Sequence, residues 1–175
     1  MGHTQVRPLS ELRELAADGV VPFDTEAVLL LDFWKGGNPA REFRTSTLSG
    51  PDTIPPLVAV VTDPATQVEA LEKSPRNPYD GFLFLGRAST CDIIVRDTSV
   101  SKTHAVIEPK NGRYTLRDNR SRNGTWHNGV RLTDGERILL TSGDAIVLGS
   151  YPVYFVVATE LVKLLARGTS RAPRA

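Results

Sequence analysis

Between positions 87 and 126 the chain concentrates the side chains that could do chemistry: Arg87, Ser101-Lys102-Thr103-His104 and Ser121-Arg122-Asn123-Gly124-Thr125-Trp126. Fixed cations interleaved with hydroxyl and amide donors suit recognition of an oxyanion: a guanidinium offers a planar fork, an ammonium a point charge, and a hydroxyl or amide directional hydrogen bonds. Catalysis is poorly supported by the same residues. Ser101 and His104 are close in sequence, yet no carboxylate stands in an orienting place and there is no nucleophile-elbow glycine pattern. No phosphate-cradling glycine loop ends in Gly-Lys-Ser/Thr. The single cysteine, Cys91, excludes an intrachain disulfide and paired-cysteine zinc or redox motifs, and beside a strand it reads as a small buried residue. The sequence is therefore read as a non-enzyme with no cofactor and no metal.

The elements that must carry these residues are short. From Leu57 onward, β-rich runs alternate with turn residues: Leu57 to Val61, Phe82 to Leu85, Ile93 to Val95, Ala105 to Ile107, Tyr114 to Leu116, Ile138 to Leu140, Ala145 to Leu148 and Val153 to Val157. The turn signals Asn111-Gly112, Asn123-Gly124, Asn128-Gly129, Asp134-Gly135 and Ser142-Gly143-Asp144 separate them, a pattern of an all-β sandwich or barrel. Asn123 is of a residue type that tolerates the left-handed backbone of a tight turn. Before this region, Pro8 to Gly19 reads as an amphipathic helix with Ser10 as N-cap and Leu12, Leu15 and Ala16 on one face. The run Ala27 to Leu31, followed by Phe33 and Trp34, is apolar on all sides and fits a buried strand or a helical turn. Lys35 to Pro56 reads as loop, Gln67 to Lys73 as a short helix inside a long connection, and Thr159 to Arg167 as a terminal helix capped by Thr159 and ended by Gly168.

The four local patterns, Gly86-Arg87, Ser101 to His104, Ser121 to Trp126 and Asn128-Gly129, together resemble the forkhead-associated (FHA) domain in order and spacing, over about residues 56 to 160. The resemblance implies an 11-stranded β-sandwich whose loops at one end bind a phosphothreonine peptide. It divides the chain into an N-terminal extension (1–55), an FHA domain (56–160) and a helix end with a basic tail (161–175). By resemblance Arg87, Ser101 and Lys102 hold the phosphate and Asn123 registers the peptide backbone, while Gly86, His104, Gly124 and Thr125 support the binding loops. Arg122 stands where a small Ser or Thr is common; it either adds a third cation or narrows the pocket for the threonine methyl group. The plain alternatives are a solvated Arg87, a turn-capping Ser101 and a degenerate pocket serving phospho-independent contacts, which Lys102, Thr103 and Arg122 keep open. The implied partner is a phosphothreonine-containing protein, a Ser/Thr kinase or its substrate.

Composition bounds these readings. The chain has 175 residues and a formal charge of +1. Residues 1–80 hold 7 Lys+Arg and 12 Asp+Glu, whereas residues 81–175 hold 14 and 8. The basic half could meet an anionic partner or the acidic half. Nucleic acid is disfavoured, because exposed aromatics interleaved with the cations are lacking. No apolar stretch is long enough for a membrane span and no secretory signal opens the chain, so a cytoplasmic location is expected. The hydroxyls of Thr45 and Thr47 follow basic residues, which suggests a kinase site able to compete for the protein's own pocket.

Overall fold

A computed structural model of the chain describes residues 6–18, 20, 23–32 and 54–169. Twelve strands among these residues form two sheets. The seven-stranded sheet is made of β1 (Val6–Pro8), β2 (Ala27–Leu31), β3 (Gln67–Ala70), β8 (Thr125–His127), β9 (Val130–Arg131), β11 (Asp144–Leu148) and β12 (Tyr151–Val157), in the order β1-β3-β2-β12-β11-β8-β9. The five-stranded sheet contains β4 (Leu83–Gly86), β5 (Ile93–Ile94), β6 (Ala105–Lys110), β7 (Arg113–Asp118) and β10 (Ile138–Leu139), in the order β10-β7-β6-β4-β5. All pairings are antiparallel except β4 with β5. The β-sandwich expected from the turn spacing is the fold observed.

The uniformly apolar run Ala27 to Leu31 is a strand because it is an inner one, covered on both faces. Ala27, Leu29 and Leu31 join Leu85, Ile107, Leu116, Ile146, Leu148 and Phe155 in the core between the sheets. Val28 and Leu30 point the other way, into a second core against three helices. These are α1 (Leu9–Ala17), α2 (Leu57–Val60) and α3 (Ala158–Thr169), which contribute Leu9, Leu12, Ala16, Val60, Leu161 and Leu165. A helical layer thus covers the outer face of the seven-stranded sheet. Residues 27–31, assigned from sequence to the N-terminal extension, are hydrogen-bonded between β3 and β12 in the middle of that sheet.

Other local expectations are corrected by tertiary context. Leu57 to Val61 is a helical turn rather than a strand, because the carbonyl of Pro56 accepts from the amides of Ala59 and Val60 and the turn buries Val60 and Val61 against the outer core. Gln67 to Lys73 is not a helix: its first four residues are β3, held between β1 and β2. Ser10 lies inside α1, whose N-cap is Pro8 without a side-chain cap, since the Leu9 amide is satisfied by the carbonyl of Thr66. Likewise Thr159 lies within α3, whose Ala158 amide bonds the carbonyl of Glu26, and α3 continues through Gly168. Phe33, Trp34, Gly19, Pro22, Thr45 and Thr47 fall outside the described residues.

Candidate functional site

Four segments meet at one end of the sandwich: the end of β4, the connection 96–104 between β5 and β6, the loop 119–124 between β7 and β8, and the turn 149–150 between β11 and β12. The first two are stitched by the backbone. The amide of Arg87 donates to the carbonyl of Ser101 (3.0 Å) and that of Ala88 to the carbonyl of Lys102 (2.9 Å). So close an approach requires Gly86: a Cβ there would lie inside contact distance of the Lys102 carbonyl. The Arg87 Nε donates to the carbonyl of Val100 (3.3 Å), which aims the exposed guanidinium across the connection.

His104 ties the connection to loop 119–124. It is fully buried. Its Nδ1 accepts from the amide of Ser101 (2.9 Å), so the ring proton sits on Nε2, which donates to the carbonyl of Gly124 (2.9 Å). Burial holds its pKa below the ordinary imidazole value, which keeps the ring neutral and this tautomer in place. The same Gly124 carbonyl accepts from the amide of Gly149 (2.9 Å). Within the loop, Asp118 accepts from the Ser121 amide (2.9 Å), the Ser121 hydroxyl (2.6 Å) and the Thr125 hydroxyl (2.6 Å). Burial raises its pKa, but the bonds from Ser121 and Thr125 outweigh this and hold the carboxyl below its usual range. An ionised Asp118 therefore shapes the loop that carries Arg122 and Asn123.

These contacts bring together all five residues expected to bind. Arg87, Ser101, Lys102, Arg122 and Asn123 line one cleft of about 220 Å³, with Thr98, Ser99 and Val100 completing its wall. The Ser101 hydroxyl oxygen accepts from the amide of Arg122 (3.0 Å), which leaves its proton to donate into the cleft. The side chain of Asn123 donates Nδ2 to the carbonyl of Ser99 (2.7 Å), and this fixes the amide plane. Asn123 is not the left-handed residue of its turn: positive φ falls at Arg120 (52°) and Gly124 (87°). Gly86, His104, Gly124 and Thr125 occupy the buttressing contacts just described, and Cys91 is buried beneath them, its thiol donating to the Lys102 carbonyl (3.2 Å). Burial raises the Cys91 pKa, so the thiol stays protonated. Among the described residues no group of three His, Cys, Asp or Glu side chains converges as metal ligands would.

Ser99 was not singled out from sequence, although it clamps the site. Its hydroxyl donates to Asp97 (2.7 Å) and accepts from the amide of Ser150 (3.0 Å), and its own amide bonds Asp97 (2.8 Å). The Asp-x-Ser spacing is a turn signal that could have pointed to it.

The sequence model of the FHA domain family matches residues 83–149, from the first residue of β4 to the turn beside Ser99. Over these residues the chain is similar to the FHA domain family. Matches to curated proteins include an ABC transporter ATP-binding/permease protein of Mycobacterium tuberculosis, 37% identical over 79 residues, covering 45% of this chain and only 9% of that protein. The glycogen accumulation regulator GarA of Mycobacterium tuberculosis is 27% identical over 149 residues, which cover 80% of this chain and 83% of GarA. Among solved structures, Mycobacterium tuberculosis EmbR in complex with a low affinity phosphopeptide is similar at 28% identity and a TM-score of 0.41, covering 44% of this chain and 20% of that one. Inner strand β2 lies more than fifty positions before the matched segment. No helix among the described residues is long and apolar enough to cross a membrane.

Proposed function

We propose that the protein is a phosphothreonine-peptide reader, an adaptor without catalytic activity that docks onto a phosphorylated partner in Ser/Thr kinase signalling in the cytoplasm. The observation that carries this reading is the convergence of Arg87, Ser101, Lys102, Arg122 and Asn123 on one cleft. A phosphothreonine brings about −1.5 to −2 charges and three acceptor oxygens. Arg87 supplies the guanidinium fork, Lys102 the ammonium and Ser101 the hydroxyl, while Arg122 at the rim adds a third cation. Asn123, its Nδ2 anchored on Ser99, turns its oxygen and second amide proton to the peptide main chain.

The test is fluorescence anisotropy with a degenerate phosphothreonine peptide library, run beside unphosphorylated and phosphoserine peptides. Each charge-assisted hydrogen bond contributes about 1.5 to 3 kcal/mol. Losing the Arg87 fork should therefore weaken binding by at least about a hundredfold. Selective binding of phosphothreonine peptides that Arg87→Ala removes, in a variant with unchanged circular dichroism, supports the reading. Equal binding of phosphorylated and unphosphorylated peptides would favour a degenerate pocket and a phospho-independent role.

A further inference from the structure

Loop 119–124 borders a second, larger cleft on the side away from the Arg87 cleft. Arg122 and Asn123 line the first, whereas Arg120, Ser121 and Gly124 line the second, an open cleft of about 550 Å³ completed by Asp118, Asp134 and Arg131 among others. Only the width of one loop separates the two.

The cations bordering this cleft differ from their neighbours on the adjoining strands. Arg117 and Arg137 are both bound to Glu108. No ion pair among the described residues engages Arg120 or Arg131. Arg131 is nevertheless held in place: its guanidinium carbon lies 5.4 Å from the Trp126 ring centroid, and its Nε passes where a side chain on Gly124 would stand, 2.6 Å from an ideal Cβ. A guanidinium positioned by stacking loses little freedom when it binds. Arg120 is held at a φ of 52°, a left-handed conformation that is uncommon for a long side chain and a pointer to function where the surroundings enforce it. Of the two carboxylates lining the cleft, Asp118 is engaged by three donors from its own loop. Asp134 is the remaining negative charge and is exposed at the β9–β10 turn.

We propose that this cleft is an anion subsite for the same ligand: a peptide seated at Arg87 crosses loop 119–124 and places a second anionic group between Arg120 and Arg131. The proposal rests on the phosphopeptide reading above and narrows it to partners carrying an acidic flank. The shared chemistry is a side-chain oxyanion, from either an Asp or Glu carboxylate or a second phosphorylated residue. Asp134 limits the attraction and itself favours a basic flank, but less strongly than the two arginines favour an acidic one.

The full chain is titrated with phosphothreonine peptides of otherwise neutral sequence, in which a single Asp, phosphoserine, Asn or Lys is moved through the positions on either side. At one register Asp should strengthen binding roughly threefold to tenfold over Asn, the size of one or two partly exposed ion pairs. Phosphoserine at that register distinguishes the source: a larger gain than Asp identifies a doubly phosphorylated ligand, an equal or smaller one an acidic residue. Arg120→Gln with Arg131→Gln should remove the gain while the neutral peptide still binds. Asp134→Asn, which leaves the arginines and their packing in place, should increase it. The proposal is overturned if no register prefers an anion, if the preference survives the double arginine change, or if Asp134→Asn leaves it unaltered. Binding of the neutral phosphothreonine peptide without any acid preference defeats the subsite alone. Failure of every phosphothreonine peptide defeats both readings.

Discussion

Replacing Glu69 by Gln should stabilise the protein, and only at neutral and alkaline pH. Glu69 lies on β3 opposite Leu29 of β2, so its side chain shares the face that Leu29 buries between the sheets. It is 4% exposed, and burial raises its pKa from 4.5 to about 7, with Arg76 opposing the rise and Asp32 adding to it. A folded-state pKa above the unfolded one means that the fold favours the protonated acid. The benefit is complete below about pH 4.5, shrinks as pH rises, and is gone above about pH 7. A rise from 4.5 to about 7, at about 1.36 kcal/mol per unit, is worth about 3 kcal/mol. Gln keeps the shape of the protonated acid without its titration. Urea unfolding should therefore give nearly equal stabilities for wild type and Glu69→Gln at pH 4, and an advantage of about 3 kcal/mol for the variant at pH 8, or about 6 to 12 °C in Tm. A difference that is the same at both pH values would refute the argument, because it would mean that Glu69 ionises alike in the folded and unfolded chains.

Gly86→Ala tests the close passage of β4 under the Lys102 carbonyl; the added methyl must push the 99–104 segment away, and phosphopeptide affinity should fall more than tenfold while Glu69→Gln leaves it unaffected, as read by anisotropy. His104→Ala removes both the acceptor for Ser101 and the donor to Gly124 in a buried site, which should cost about 2 to 4 kcal/mol in urea unfolding; a loss below 1 kcal/mol would argue against its bridging role. Because burial lowers the His104 pKa, its neutral form contributes fully above about pH 6.5 and that contribution declines as pH falls below it. In the Glu69→Gln background, where the opposite trend is absent, stability should fall as pH drops below about 6.5, and the slope should flatten in His104→Gln. A chain starting at residue 56 lacks β2, which fills the gap between β3 and β12; it should show no cooperative unfolding transition, and a transition of native size would make 1–55 a separable extension.

Much of the site could be read before any fold was known, because its residues are grouped in short local patterns whose chemistry is a property of residue type. Cations at 87, 102 and 122, a hydroxyl at 101, an amide at 123 and turn glycines are the groups that an oxyanion reader needs, whatever sheet order carries them. The β-sandwich was legible for the same reason: turn chemistry is local, and Asn-Gly and Asp-Gly pairs mark ends of strands. The elements misread were those whose state depends on distant partners. Gln67 to Ala70 is a strand because β1 and β2 flank it, and Leu57 to Val61 is a helical turn because Val60 and Val61 find an apolar sheet face beneath them.

The sequence by itself determined which chemical groups the protein can present and that they sit on loops between short strands. Tertiary structure alone decided that Ala27–Leu31 is the inner strand of a sheet assembled around it, and that Glu69 is a buried carboxylate with a displaced pKa. It alone decided that Arg120 and Arg122, two positions apart, line opposite sides of one loop. Each of these depends on groups far apart in the chain whose packing fixes burial, direction and charge environment, quantities that no local run of residues contains.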